Sequence, residues 1–283
     1  MDTPAERIDL HTHSTCSDGL LPPTALVEAA AHRGVGLLAL TDHDTVAGCA
    51  EAARACARHG IRFIAGIELT CGWRARELHV VGLGVDVHSP ALTAYTCEVG
   101  ERRRQRISAI GVRLTRARLP GAALAATVLA AHRAPTRSHL ARELVAGGFA
   151  RDEAQAFDRW LGHGGAAHVG GNWPELAEAV RAIRAAGGIA VLAHPHRYRA
   201  SLSGLRELCA TFKLAGGEGI EVSLAGMGPA DTERALSLAR RFDLAGSIGS
   251  DFHAPGLPWR PLGRFAKLPD GVTPVTARLP AGP

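Results

Sequence analysis

The sequence has no run of about 18 apolar residues, the length that a helix needs to cross a membrane. It starts with polar and acidic residues rather than with a basic segment followed by an apolar core, so we expect no signal peptide. These two absences predict a cytoplasmic protein without a membrane partner.

Lysine and closely spaced cysteine pairs are also scarce. Only Lys213 and Lys267 are lysine among the 32 basic residues, and the net charge of +5 is too small to indicate nucleic-acid binding by itself. The cysteines form no C-x-x-C pair, which is more typical of reduced thiols than of a disulfide framework or a zinc knuckle. They are Cys16, Cys49, Cys56, Cys71, Cys97 and Cys209.

Histidine, by contrast, is abundant. Hydrophobic residues make up 46% of the 283 positions and the 33 glycines and 16 prolines follow no repeat, which excludes disordered and fibrous proteins. Such a chain carries 14 histidines. Because histidine is the usual metal ligand and proton carrier near neutral pH, the positions of these residues are the informative feature.

Short apolar runs alternate with amphipathic stretches, which indicates β/α units around a parallel sheet. We predict strands at Arg7–His11, Gly36–Thr41, Arg62–Glu68, Glu77–Leu83, Ile189–Ala193, Gly219–Ser223 and Leu244–Gly249. Helices are predicted at Thr24–Arg33, Ala47–His59, Pro174–Ala186, Gly204–Leu214 and Ala230–Phe242. Seven strands are one fewer than in the eight-stranded barrel, so we expect an α/β fold with a distorted seven-stranded barrel.

A long segment interrupts this alternation between the fourth and fifth strands. It reads almost entirely as helix, with stretches at Glu98–Arg118, Gly121–Ala131, Ser138–Ala146 and Asp152–Leu161. We therefore predict barrel parts at 1–87 and 173–283 and a small helical insertion, a substrate lid, at 88–172. The charged run Glu101–Arg106 is more typical of a solvated helix face than of an RNA-binding patch, because no aromatic residues interleave.

Polar residues cluster where the predicted strands end. His11 and His13 end the first strand two positions apart, so both imidazoles face one side and can hold one cation, with Asp18 on the turn that follows. In a (β/α) barrel the carboxyl ends of the strands meet at one mouth. The other candidates at such ends are His43, Glu68, His194, Asp251 and His253.

His79 lies near the start of the fourth strand rather than at its end. About ten residues separate it from Glu68, too few for a helical crossover, so strands three and four should be antiparallel. His79 then lies at the same mouth and completes nine candidate ligands. Three or four ligands per ion predict two or three divalent ions, and the imidazole and carboxylate mixture favours Mn²⁺, Zn²⁺ or Fe²⁺ over Mg²⁺ or Ca²⁺.

The motifs at these positions resemble those of the PHP (polymerase and histidinol phosphatase) family. They are Asp9-Leu10-His11-Thr12-His13, Thr41-Asp42-His43, Gly66-Ile67-Glu68, Glu77-Leu78-His79, Ala193-His194-Pro195 and Ser250-Asp251-Phe252-His253. The resemblance implies a distorted (β/α)7 barrel with Mn²⁺ as the expected ion. It implies three ligand groups: His11, His13, Glu68 and Asp251; Glu68, His79 and His194; and Asp18, His43 and His253.

Within that family the insertion resembles the branch of nucleoside 3′,5′-bisphosphate phosphatases and the 5′-to-3′ exoribonuclease called RNase AM. The matching stretches are 136–142, 171–173 and 193–198. This resemblance implies removal of the 3′-phosphate of a nucleoside 3′,5′-bisphosphate to leave the 5′-monophosphate. Hydrolysis of short 5′-phosphorylated RNA and a non-catalytic metal-binding module are the alternatives, and we infer no obligate protein partner.

The expected reaction is attack of metal-activated hydroxide on phosphorus. Asp251 and His253 belong to the predicted catalytic set, and His196, an aspartate or a metal-bound water would protonate the leaving oxygen. Arg137 and Arg197 are candidates for holding a second phosphate, because a guanidinium group binds phosphate bidentately. The remaining predicted substrate contacts are His139 and Tyr198.

Overall fold

The computed structural model describes residues 7–198, 200–256 and 259–279. In these residues the strands form one seven-stranded sheet in chain order. The strands are β1 Arg7–Asp9, β2 Val35–Leu40, β3 Arg62–Trp73, β4 Arg76–Leu83, β5 Ile189–Leu192, β6 Gly219–Leu224 and β7 Ala245–Gly249. The predicted α/β fold with seven strands is confirmed.

The β3 and β4 strands form an antiparallel hairpin, as the spacing of Glu68 and His79 predicts. Thr70 pairs with His79, and β4 also runs antiparallel to β5, while the other adjacent strands are parallel. The hairpin turns at Arg74 and Ala75, which both have positive φ angles, 48° and 59°. The start of β4 therefore lies beside the carboxyl-terminal half of β3.

The first and last strands meet at a seam. The Leu10 amide donates to the Ile248 carbonyl at 3.1 Å, and the Asp251 amide donates to the His11 carbonyl at 2.9 Å. The buried Asp9 carboxylate accepts from the Ser250 amide at 2.9 Å. These bonds join β7 to β1 as a barrel requires.

The helices α1 Pro23–His32, α2 Cys49–His59, α7 Leu176–Ala185, α8 Leu202–Leu214 and α9 Pro229–Phe242 alternate with the strands. Successive β2 side chains point to opposite faces. Leu37 and Ala39 belong to an apolar cluster with inward residues of the other strands, whereas Leu38 and Leu40 pack in a second cluster with α1 and α2. The strand is therefore apolar on both faces, as parallel barrel strands are.

The chain divides into two compact units, Met1–Tyr95 with Pro174–Pro283 and Thr96–Trp173. The second unit contains most of α3 Pro90–Arg116, then α4 Gly121–Ala131, α5 Arg137–Ala146, α6 Glu153–Ala156 and a π-helical turn at Phe157–Leu161. Its core includes Ile110, Leu140 and Leu161. The predicted domain limits at 88 and 172 remain a prediction.

The expectation of a solvated helix face at 101–106 is wrong for two arginines. Arg103 and Arg106 are 6% and 8% exposed, and each guanidinium lies over the Trp173 ring, at 5.5 and 5.3 Å. Arg106 also donates to the Val169 carbonyl at 3.0 Å. The charge run thus contributes to packing inside the second unit.

No helix in the described part of the chain is long and apolar enough to span a membrane.

Candidate metal centre and active site

All nine predicted ligand residues lie in the described part of the first unit. Seven follow the ends of β1, β2, β5 and β7, whereas Glu68 and His79 lie within the β3–β4 hairpin. The predicted strand end at His11 is wrong, because β1 stops at Asp9. The chain beyond it still pairs with the end of β7, through a bridge between Thr12 and Phe252. His11, His13 and Glu68 are fully buried. The fold therefore brings together residues that are far apart in the sequence.

Glu68 of β3 is the centre of this cluster. Its Oε2 atom lies 3.2 Å from Nε2 of both His11 and His13, and 3.0 Å from Nδ1 of His43. Its Oε1 atom lies 3.0 Å from Nδ1 of His79 and 2.9 Å from Nε2 of His194. One carboxylate thus contacts five imidazoles, and its two oxygens face different groups of them.

Two aspartates flank the cluster. Asp251 Oδ1 lies 3.2 Å from His13 Nε2, 3.5 Å from His11 Nε2 and 3.4 Å from His253 Nδ1. Asp18 Oδ1 lies 3.3 Å from His253 Nε2. The two aspartates therefore face the two different ring nitrogens of His253.

Three sets of residues could each hold a metal ion, because the donor atoms within each set lie within 4.8 Å of one another. One set has the composition that the family resemblance implies for the first ion. A second adds His13 to the set implied for the third ion, and the remaining set has His43 where the resemblance implies His194. The sets are His11, His13, Glu68 and Asp251; His13, Asp18, His43 and His253; and His43, Glu68 and His79.

Electrostatics prepares the carboxylates for a cation. Despite burial, the positive charge of nearby imidazoles, His11 among them, holds the pKa of Glu68 well below its usual value. Burial in turn lowers the pKa of His43 and of His194, which keeps these imidazoles neutral. Deprotonated carboxylates and neutral imidazoles are the forms that bind metal ions.

His11 and His13 differ from the other imidazoles. Burial disfavours their charged forms, but the charges of Glu221 and Glu68 raise the pKa of His11 well above its usual value. Hydrogen bonds to Asp251 and Glu68 likewise outweigh burial and raise the pKa of His13 to about 9. A divalent cation therefore competes with protons at these two residues.

Neighbouring carboxylates orient the cluster. Glu221 of β6 accepts from His11 Nδ1 at 2.7 Å and from the His194 amide at 2.5 Å. Asp42 accepts from the Ser14 hydroxyl at 2.6 Å. A hydrogen bond at Nδ1 fixes the tautomer of a histidine and leaves Nε2 for a ligand.

The residues after β5 face different directions. Arg197 donates from Nη1 to Asp251 Oδ2, so this predicted phosphate contact does lie at the cluster. The Tyr198 hydroxyl accepts from the His79 amide at 3.0 Å. His196 lines a small cavity with Asp231 and other residues of α8 and α9. Burial lowers the pKa of His196 to about 4, which disfavours it as a proton donor near neutral pH.

The other two predicted substrate contacts belong to the second unit. There the Arg137 guanidinium lies over the Phe157 ring at 5.8 Å. His139 is 3% exposed and accepts from the Thr136 amide through Nδ1 at 3.0 Å, and its ring stacks on His132 with centroids 3.6 Å apart. His139 thus completes a capping box at the start of α5. The predicted substrate roles of both residues remain predictions.

Sequence reasoning missed Arg260, which lies 3.3 Å from Asp251 Oδ2 through its Nη1 atom. Arg260 follows β7 in a segment whose described residues form no helix or strand, so no periodicity identifies it. Glu221, in contrast, is visible in the sequence as a carboxylate near the end of the sixth strand.

The residues of the cluster fit divalent metal ions. The donor set is imidazole nitrogen and carboxylate oxygen, which suits Mn²⁺, Zn²⁺ and Fe²⁺. Within the described residues, the buried Oε2 atom of Glu68, at the centre of the cluster, has no hydrogen-bond partner. Buried polar atoms without a partner are rare in proteins and need an explanation such as an ion or water.

Comparison with known proteins gives the class. The PHP domain family model matches residues 9–187. A 5′-3′ exoribonuclease from Haemophilus influenzae is 43% identical over 270 residues, 95% of this chain and 98% of that protein. A 3′,5′-nucleoside bisphosphate phosphatase from Chromobacterium violaceum is 40% identical over 275 residues, 97% and 96% of the two chains.

A solved structure from the same Chromobacterium species has a closely similar fold. It is an amidohydrolase with bound sulfate, it has a TM-score of 0.90 at 39% identity, and the match covers 96% of this chain and 95% of that one. The chain belongs to the PHP family. It is an enzyme of the metal-dependent phosphoesterase class, a hydrolase of phosphate esters.

Proposed function

We propose that the protein hydrolyses the 3′-phosphate of nucleoside 3′,5′-bisphosphates to give a nucleoside 5′-monophosphate and phosphate. The observation that carries this proposal is the buried Glu68 carboxylate with its five imidazoles, bordered by Arg197 at Asp251. Such a centre combines ligands for cations with a guanidinium group that binds phosphate. The Chromobacterium phosphatase, 40% identical over nearly the whole chain, supports the substrate class.

Two to three divalent ions, with Mn²⁺ as the first choice, would be held by the nine clustered residues. We assign His11, His13, Glu68 and Asp251 to one ion, Glu68, His79 and His194 to another, and Asp18, His43 and His253 to a third. When bound, such ions lower the pKa of water and neutralise charge on phosphate oxygens.

The protein's own groups then have separate tasks. Glu68 and Asp251 hold the site anionic, Glu221 orients His11, and Arg197 binds a phosphate oxygen. His253 donates from Nδ1 to the Asp251 carbonyl at 2.9 Å, which leaves Nε2 free to bind. A water oxygen attacks phosphorus, the bond from phosphorus to the 3′-oxygen breaks, and that oxygen takes up a proton.

Hydrolysis of short RNA from its 5′ end is the second candidate. The 43% identical exoribonuclease from Haemophilus influenzae favours it. The bond broken is the same, from phosphorus to the 3′-oxygen. In RNA the phosphorus carries the next nucleotide in place of one of its three nonbridging oxygens, and release of a 5′-mononucleotide shortens the RNA by one residue. A single centre that recognises the first nucleotide would therefore perform both reactions.

The test compares substrates on the Mn²⁺-loaded protein. We expect phosphate release from adenosine 3′,5′-bisphosphate to exceed that from 5′-AMP and from histidinol phosphate, with 5′-AMP as the product. A 5′-phosphorylated trinucleotide measures the second candidate through its mononucleotide product. Asp251→Asn should abolish both reactions, while His59→Ala, at an exposed histidine of α2, is the matched control.

Two results would decide against the proposal. Preference for histidinol phosphate by a wide margin would exclude a nucleotide substrate. Full activity of Asp251→Asn would show that the centre around Glu68 is not the catalytic site.

A further inference from the structure

Two arginines converge on one oxygen of Asp251. Arg197 contacts Oδ2 through Nη1, and Arg260 Nη1 lies 3.3 Å from the same atom. The other oxygen, Oδ1, faces the imidazoles of His11 and His13. The Asp251 carboxylate therefore separates the guanidinium groups from the interior of the cluster.

These arginines are accessible where Asp251 is not. Both arginine side chains are 28% exposed, against 3% for Asp251. Two guanidinium charges also exceed the single charge of the carboxylate that they share. Because each guanidinium group has five N–H donors in a planar fork, contact through Nη1 leaves donors for another acceptor. The pair is thus a cationic surface at the border of the metal centre.

We propose that Arg197 and Arg260 together bind the phosphate that stays on the nucleotide, its 5′-phosphate, and thereby make this phosphate a determinant of substrate choice. This inference rests on the proposed function and adds to it a residue, Arg260, and the recognition of the retained group.

The position of the pair selects the retained phosphate. The phosphate that reacts must approach the ligand atoms, which lie on the Oδ1 side of Asp251 around Glu68. The ribose separates the two phosphates of a nucleoside 3′,5′-bisphosphate. The second phosphate therefore needs cations beside the cluster, and Arg197 and Arg260 lie on that outer side.

The experiment combines variants of Arg260 with substrates that differ only in the 5′-phosphate. The variants are Arg260→Ala and Arg260→Lys, and the matched control is Arg264→Ala, an exposed arginine of the same segment. We compare kcat/KM for adenosine 3′,5′-bisphosphate and for 3′-AMP on the Mn²⁺-loaded protein. Calorimetry measures the affinities for 5′-AMP, adenosine and Mn²⁺.

We expect Arg260→Ala to lower kcat/KM for the bisphosphate at least tenfold more than for 3′-AMP, because a charged hydrogen bond is lost. The affinity for 5′-AMP should fall by a similar factor, while that for adenosine should not. Arg260→Lys should restore part of the loss. The Mn²⁺ affinity should remain that of the unaltered protein, since Arg197 still holds Asp251 Oδ2.

Equal losses on both substrates would overturn the inference, and so would weaker Mn²⁺ binding without selective loss, which would limit Arg260 to positioning Asp251. Failure of the proposed function has a different signature: the unaltered protein would then not hydrolyse the bisphosphate. In that case the calorimetric comparison of 5′-AMP with adenosine still decides whether Arg260 binds the 5′-phosphate.

Discussion

Replacing Glu221 by glutamine tests whether this residue orients the ligands of the metal centre. Glu221 is 1% exposed, and its oxygens accept from His11 Nδ1 at 2.7 Å and from the His194 amide at 2.5 Å. An amide has only one acceptor oxygen and two N–H donors. In Glu221→Gln either the His11 Nδ1–H group or the His194 amide therefore faces an N–H group of the glutamine instead of an acceptor oxygen.

The structure sets the size of the effect. A buried donor left without an acceptor costs about 1–3 kcal/mol. If His11 instead changes tautomer, its Nε2 carries the proton and no longer offers a lone pair to a cation. Loss of a carboxylate that orients a metal-binding histidine typically weakens metal binding by about 10- to 100-fold, which is about 1.4–2.8 kcal/mol. We expect a loss of Mn²⁺ affinity in this range.

Titration calorimetry with Mn²⁺ and determination of bound manganese by atomic emission measure the loss. Glu207→Gln is the matched control, because this glutamate is about half exposed and pairs with Arg74 away from the cluster. The reasoning is refuted if Glu221→Gln binds manganese with the affinity and stoichiometry of the control.

Three further results are expected. Burial raises the pKa of Asp9 to about 6, so the Asp9 carboxylate binds a proton more tightly in the folded protein than in the unfolded chain. Its contribution to the free energy of unfolding should fall by about 3 kcal/mol as pH rises from about 4 to 6, and urea unfolding of Asp9→Asn should lack this component. A chromogenic disulfide reagent should label Cys97 first, since it is exposed, and Cys97→Ser should lose the fast phase. Gly121→Ala should lower the free energy of unfolding by about 1–3 kcal/mol, because the added Cβ would lie 2.2 Å from the Gly111 carbonyl oxygen, whereas Gly100→Ala, with open space, should raise it by about 0.5–1 kcal/mol; equal effects of the two alanines would contradict this.

Much of the fold follows from local sequence pattern. The predicted bounds of strands and helices are wrong where long-range hydrogen bonds determine them. The predicted end of β3 at Glu68 is wrong, because β3 continues to Trp73 in the hairpin with β4. Helix α7 begins at Leu176 rather than at Pro174, because Glu175 and Glu178 form a capping box there. The Pro174 carbonyl instead accepts from the Gly72 amide at 2.7 Å. Such long-range partners are not visible in the sequence.

The part of the site that the barrel strands position was predictable from the sequence. Seven of the nine residues of the cluster follow strand ends, which the barrel brings together at one mouth, and Glu68 and His79 join them from within the β3–β4 hairpin. Arg260 and the orientation of His196 were not predictable, because neither depends on a strand. The side chains of two adjacent residues after β5 point to different places: Arg197 contacts Asp251, whereas His196 lines a cavity beside α9. A motif identifies such neighbours but does not orient them.

Three residues in or beside the metal centre have a strained backbone that hydrogen bonds hold in place. Asp44, His194 and Asp251 have positive φ angles of 50°, 29° and 50°, which cost about 1–3 kcal/mol each for residues other than glycine. Each amide nevertheless donates to a residue of a neighbouring strand or of the segment that follows it. Asp44 donates to the Glu68 carbonyl, His194 to the Glu221 carboxylate and Asp251 to the His11 carbonyl. The strain is thus held by bonds between strands. Removing one ligand side chain therefore leaves the backbone positions of the others in place, so the loss in such a variant reports on that ligand.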